Sequence, residues 1–91
     1  MKIEIFGDKA CPRCEAAKKK VEFFLEKWGF DARVPVTFVD MDTVDGRAEG
    51  AFRDVAEVPT TIVSNAGTEI GRWTGEVPDS NELRRALGVA T

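Results

Sequence analysis

The chain's two cysteines stand two residues apart, in Cys11-Pro12-Arg13-Cys14. A vicinal dithiol cycles between two thiols and a disulfide, and a sulfur held as thiolate is a strong nucleophile. The flanking residues favour that chemistry. Lys2-Ile3-Glu4-Ile5-Phe6, closed by Gly7, reads as a strand, and an amphipathic segment from Pro12 to about Trp28 reads as a helix. The dithiol therefore falls at a strand-to-helix turn, where free N–H groups and the helix dipole stabilise negative charge. Cys11 is the expected nucleophile at the cap, and Cys14, one turn on, the expected resolving thiol. Pro12 suits the first helical position, stiffens the turn and removes a competing donor.

The same pair would also serve as half of a zinc or iron–sulfur site. Such sites want four ligands, and the sequence has no further cysteine and no histidine. A cluster bridging two copies, or a module that only docks partners, is the alternative from another functional class. The lack of histidine also excludes imidazole acid–base chemistry. A structural staple is disfavoured, because the loop from Cys11 to Cys14 is too short to restrain much of the unfolded chain.

Val58-Pro59-Thr60 is the second motif. It opens a strand expected to be central, where a proline removes a ladder hydrogen bond. A cis Val58–Pro59 bond would turn the backbone toward the dithiol and offer N–H and C=O groups to an extended substrate segment. Lys9, Arg13 and Lys18 lie on or near the dithiol turn and would attract an acidic partner peptide. Glu4, in a strand expected to be central, is expected near that strand's exposed end, the alternative being a buried carboxylate that relays protons. Trp73-Thr74-Gly75-Glu76-Val77-Pro78-Asp79 forms a loop before the last helix, on the border of the dithiol.

Positioning these residues takes seven elements. In the first helix Ala17, Val21, Phe24, Leu25 and Trp28 make one apolar face, Glu15, Lys18, Lys19, Glu22 and Glu26 the solvated one, and Gly29 the stop. A second strand runs from Val34 to Val39. A weaker helix follows from Thr43 to Val55, capped by Thr43 or Asp45, with Ala48, Ala51, Phe52 and Val55 as its apolar face. Gly46 and Gly50 are expected to weaken it by about 1 kcal/mol each. Strands Thr60 to Ser64 and Glu69 to Trp73 flank the hairpin signal Asn65-Ala66-Gly67-Thr68. Asp79 or Ser80 starts a final helix that turns Leu83, Ala86 and Leu87 inward. The β-α-β half is expected to be parallel and right-handed, and the second half an antiparallel hairpin plus helix. The expected class is α/β, β-α-β-α-β-β-α, with a four-stranded mixed sheet and helices on both faces.

A length of 91 residues allows one domain, residues 1–91. The net charge of −3 gives no polyanion-binding signature, so no nucleic-acid partner is expected. No apolar run reaches the roughly 20 residues of a membrane span, and the first residues read as a strand rather than a leader. A cytoplasmic monomer without membrane partner, bound cofactor or metal is expected. No Gly-rich dinucleotide loop is present, so electrons must come from elsewhere.

Over nearly its whole length the chain resembles the glutaredoxin/thioredoxin superfamily. Cys11-Pro12-Arg13-Cys14, the Val39-Asp40 strand end, Val58-Pro59-Thr60 and Gly75 carry the resemblance. Within that group it is most similar to NrdH-type redoxins, whose Trp-Ser-Gly-Phe-Arg-Pro-Asp segment has the spacing of Trp73 to Asp79. Glu76 and Val77 replace the Phe-Arg pair. The Gly-Gly-Cys-Asp-Asp loop of glutathione-using glutaredoxins and the Trp-Cys-Gly of thioredoxins are absent. Ile5 stands where thioredoxins carry an acidic residue.

The resemblance implies a thioredoxin-like (glutaredoxin-type) fold and a protein dithiol–disulfide oxidoreductase. Cys11 and Cys14 would be catalytic, and Pro12, Arg13, Val58, Pro59, Thr60 and Gly75 would line the substrate. The implied partners are a disulfide-containing target protein and an electron source. That source is a thioredoxin-reductase-type flavoenzyme or, in the alternative of a glutathione-dependent glutaredoxin, glutathione.

Overall fold

The structure, a computed structural model, describes residues 1–88. The last three residues of the domain expected over 1–91 lie outside that range. Strand β1 (Lys2–Gly7) leads into α1 (Pro12–Lys27), β2 (Val36–Asp40), α2 (Val44–Phe52), the hairpin β3 (Thr60–Asn65) and β4 (Thr68–Thr74), and α3 (Ser80–Ala86). The strands lie in the order β2-β1-β3-β4, with β1 and β2 parallel and the other neighbours antiparallel. This is the expected mixed sheet. The hairpin turns through Ala66 and Gly67, both at positive φ (53° and 83°), the primed turn that suits the twist of a two-residue loop.

Strand register sorts the residues into two faces. Ile3 and Ile5 pair with Val63 and Thr61, and Thr61 and Val63 pair in turn with Trp73 and Gly71. These residues point toward α1 and α3. Ile3, Ile5, Ala17, Val21, Leu25, Val34, Val63, Trp73, Leu83 and Leu87 form the principal core there. Helix α1 follows its expected face closely. It ends where Gly29 takes φ +77°, with Phe30 N–H bonding Leu25 C=O at 2.8 Å and Gly29 N–H bonding Glu26 C=O at 3.1 Å.

On the other face Phe6 and Ile62 are fully buried beside Glu4, Thr60 and Ser64. Two expectations are corrected here. Glu4 is not near an exposed end: it is 5% exposed, and the Arg53 guanidinium after α2 pairs with its carboxylate. Arg53 also donates to the Ser64 hydroxyl at 3.0 Å, so the carboxylate lies within a bonded network. Arg72 extends that network. It donates to Arg53 C=O at 2.6 Å and binds Glu69, holding the Glu69 carboxyl below its usual range through that hydrogen bond.

The second correction concerns α2. Phe52 is 81% exposed and Val44 74%, whereas the buried residues of the helix are Gly46 and Gly50. Of the expected apolar face, Ala48, Ala51 and Phe52 turn outward, and Val55 lies beyond the helix end, half-buried. The reason is a close approach. A Cβ on Gly46 would overlap the Asp40 carbonyl oxygen and lie 2.6 Å from its carbon. Thr43 caps the helix, its hydroxyl accepting from Gly46 N–H at 2.9 Å. The glycines bring α2 down onto the end of β2.

No helix of the described residues is long and apolar enough to cross a membrane.

Candidate functional site

The turn from β1 to α1 is built by Asp8, whose carboxylate accepts from Ala10 N–H at 3.1 Å and whose C=O accepts from Cys11 N–H at 3.4 Å. It delivers Cys11 to the N-cap in extended conformation, with Pro12 at the first helical position. Serine, threonine and aspartate usually cap a helix through a side-chain oxygen. Here a sulfur does so, Cys11 Sγ accepting from Cys14 N–H at 3.1 Å. Cys11 and Cys14 form a disulfide with Cα atoms 5.2 Å apart. Cys11 is partly exposed and Cys14 wholly buried. When the disulfide opens, the accessible sulfur sits where a negative charge is best accommodated, and the buried one is shielded from solvent.

The buried sulfur has a tailored seat. A Cβ on Gly7 would lie 2.7 Å from both Cβ and Sγ of Cys14 and 3.3 Å from Phe38. Glycine ends β1 because Cys14 occupies the space of its side chain. Lys18, one turn after Cys14, places its ammonium 5.7 Å from the centre of the Phe38 ring. Gly7→Ala must displace Cys14 and is expected to lower stability by about 1–3 kcal/mol. Comparing chemical denaturation of the variant in the oxidised and reduced states checks this; an unchanged midpoint in both would contradict the seat.

The second rim comes from β3 and β4. The Val58–Pro59 bond is cis. Register sets Phe6 against Thr60 and Thr60 against Thr74, so the end of β1, the start of β3 and the end of β4 share one edge. Hydrogen bonds join this rim to the dithiol helix. Gly75 N–H donates to Pro59 C=O at 2.8 Å, and Gly75 C=O accepts from Arg13 at 3.1 Å. Gly75 has φ +72°, and a side chain there would run into Glu57.

The sequence-predicted positions thus meet in one place, with different exposures. Pro12 and Arg13 are exposed, Val58 and Gly75 half-buried, and Pro59 and Thr60 buried. Thr60 turns its hydroxyl inward onto Glu57 C=O at 2.6 Å. The Pro59 carbonyl accepts from Gly75 N–H. Val58 keeps both backbone groups without a backbone hydrogen bond among the described residues. Sequence reasoning did not assign roles to Gly7 and Glu57; a glycine closing a strand just before a dithiol was the available signal for the first. Trp73 is buried against the core and donates to Glu82 at 3.0 Å, fastening β4 to α3.

A family model described as a thioredoxin domain matches residues 1–88. Among solved structures the chain is similar to thioredoxin 1 from the thermophilic eubacterium Thermosipho africanus: 25% identity, TM-score 0.70, 97% of this chain and 91% of that one covered. Thioredoxin-2 of the malaria parasite gives 19% identity and a TM-score of 0.77, with coverage of 98% and 82%. Another malarial protein gives 21% identity and 0.77, with coverage of 96% and 92%. No curated protein sequence matches this chain.

Proposed function

Because the chain belongs to the thioredoxin-domain family and carries a Cys11–Cys14 disulfide at its helix N-terminus, we propose that it is a redoxin that reduces disulfides of partner proteins. The observation that carries this reading is the Cys11 sulfur at the N-cap, accepting a backbone N–H while remaining accessible. In the reduced protein the Cys11 thiolate attacks a partner disulfide, and the partner's leaving sulfur departs as a thiolate that takes a proton from solvent. Cys14 then attacks Cys11, its proton passes to the second partner sulfur, and the Cys11–Cys14 disulfide is left. The free Val58 N–H and C=O are the groups placed to pair with an extended segment of the partner, above the closed Pro59–Gly75–Arg13 links. We read the chain as one domain acting as a cytoplasmic monomer. Its Trp73-Thr74-Gly75 and Pro78-Asp79 residues favour an NrdH-type redoxin within the family.

The electron source follows from the rim chemistry. Glutathione carries two carboxylates and is best held by cations and free helix-end N–H groups. Here Asp79 caps α3 and occupies the N–H groups of Asn81 and Glu82 at 2.9 and 3.1 Å. Glu76 adds an exposed negative charge, and Arg13 already holds Gly75. These features favour recycling by a thioredoxin-reductase-type flavoenzyme.

With NADPH as the final donor, turnover is expected with thioredoxin reductase and only weakly with glutathione plus glutathione reductase. Glu76→Arg should raise the glutathione rate about tenfold, the equivalent of 1.4 kcal/mol, without altering alkylation of Cys11. Efficient turnover with glutathione and none with thioredoxin reductase would overturn the assignment.

A further inference from the structure

The Thr61 hydroxyl is fully buried and has no hydrogen-bond partner among the described residues. A hydroxyl in that condition is unfavourable, and native interiors rarely keep one without a reason. Its position supplies the reason. Thr61 pairs with Ile5 on one side and Trp73 on the other, so its side chain lies on the face covered by α1. Gly7 is two residues beyond Ile5 on the same face, and Cys14 is seated directly against Gly7. Helix α1 runs back over this face, with Ala17 the next buried residue after Cys14. Thr61 is therefore one diagonal step, about 7–8 Å between strand positions, from Gly7, the residue on which the Cys14 sulfur sits. Its strand neighbours on that face, Ile5, Val63 and Trp73, belong to the hydrophobic core.

We propose that Thr61 is a positioning residue for the resolving sulfur: its hydroxyl oxygen accepts a hydrogen bond from the Cys14 thiol, a donor that exists only in the reduced protein. The inference rests on the reading of Cys11–Cys14 as a redox pair. When a partner dithiol reduces the site, the S–S bond breaks and the partner becomes a disulfide. Of its two protons one goes to Cys14, and the other leaves to solvent while Cys11 remains a thiolate. The new Cys14 S–H meets the hydroxyl left unpaired in the oxidised state. Thr61 thereby shifts the equilibrium toward the dithiol and keeps Cys14 protonated and aimed inward until the mixed disulfide forms.

The test is the dithiol–disulfide equilibrium of Thr61→Val and Thr61→Ser in glutathione redox buffers, read by alkylation of trapped thiols, with thermal unfolding of both redox states. Thr61→Val should move the equilibrium about tenfold toward the disulfide, about 30 mV more negative, as for loss of one ordinary hydrogen bond. It should raise the Tm of the oxidised protein and not that of the reduced protein. Thr61→Ser, which keeps the hydroxyl, should stay within about twofold of the parent, as one methyl does not alter the hydrogen bond. Thr61→Ala reads the same equilibrium should the valine fail to pack. An unchanged equilibrium in the valine or alanine variant, equal Tm shifts in both states, or a serine variant that behaves like valine would overturn the inference. A parent protein that forms no reversible disulfide in these buffers would instead sink the redox reading itself.

Discussion

Cys11→Ser is expected to bring disulfide reduction down to the background rate, because a serine hydroxyl is not ionised near neutral pH and offers no nucleophile to a disulfide. Cys14→Ser should behave differently. Cys11 still attacks, no second sulfur can release the partner, and a mixed disulfide accumulates. Non-reducing electrophoresis with a disulfide-bonded substrate separates the outcomes: a covalent adduct for Cys14→Ser and none for Cys11→Ser. In the reduced parent, alkylation near neutral pH should label Cys11 first. It is the accessible sulfur, and the Cys14 N–H that it accepts from favours the thiolate. An adduct on Cys11→Ser, or earlier labelling of Cys14, would reverse the roles.

The second large effect is expected far from the sulfurs. Replacing glycine by alanine inside a helix normally stabilises it by about 1 kcal/mol. Gly46→Ala should do the opposite, since the new methyl falls on the Asp40 carbonyl, a backbone group that can yield only if α2 moves away from β2. Overpacking of this kind costs about 1–3 kcal/mol and more where backbone must shift, so a net loss of at least about 2 kcal/mol is expected. For a domain of this size that lowers Tm by roughly 8–16 °C. Gly50→Ala is the internal control. Its methyl would meet the end of the Met41 side chain, with Cε at 2.5 Å, and a methionine can swing aside. Thermal unfolding should therefore place Gly46→Ala well below the parent and Gly50→Ala close to it. Equal, small shifts for both would contradict the packing of α2.

These two results mark the division between sequence and fold. The dithiol, its place at a strand-to-helix turn, the apolar face of α1, the hairpin at Ala66-Gly67 and the start of the last helix at Asp79 or Ser80 are all local: each depends on residues within a few positions of one another. Spacing alone determined them, together with the order of elements. Glu4 and α2 were misread because their environments are set by residues distant in sequence. Glu4 tolerates burial through Arg53, forty-nine residues away, and the glycines of α2 are packing surface only because β2 ends beneath them. The substrate rim divides likewise. Pro59 was legible as a motif, yet its carbonyl accepts from Gly75, while Val58 has no backbone hydrogen bond among the described residues. Cys14 packs on Gly7, and strand register sets Thr61 one diagonal step from Gly7, relations that no window along the chain contains. Chemistry carried by adjacent residues is written in the sequence. The side chains and cavities that tune it come from strands paired across the sheet, and only the tertiary structure decides those.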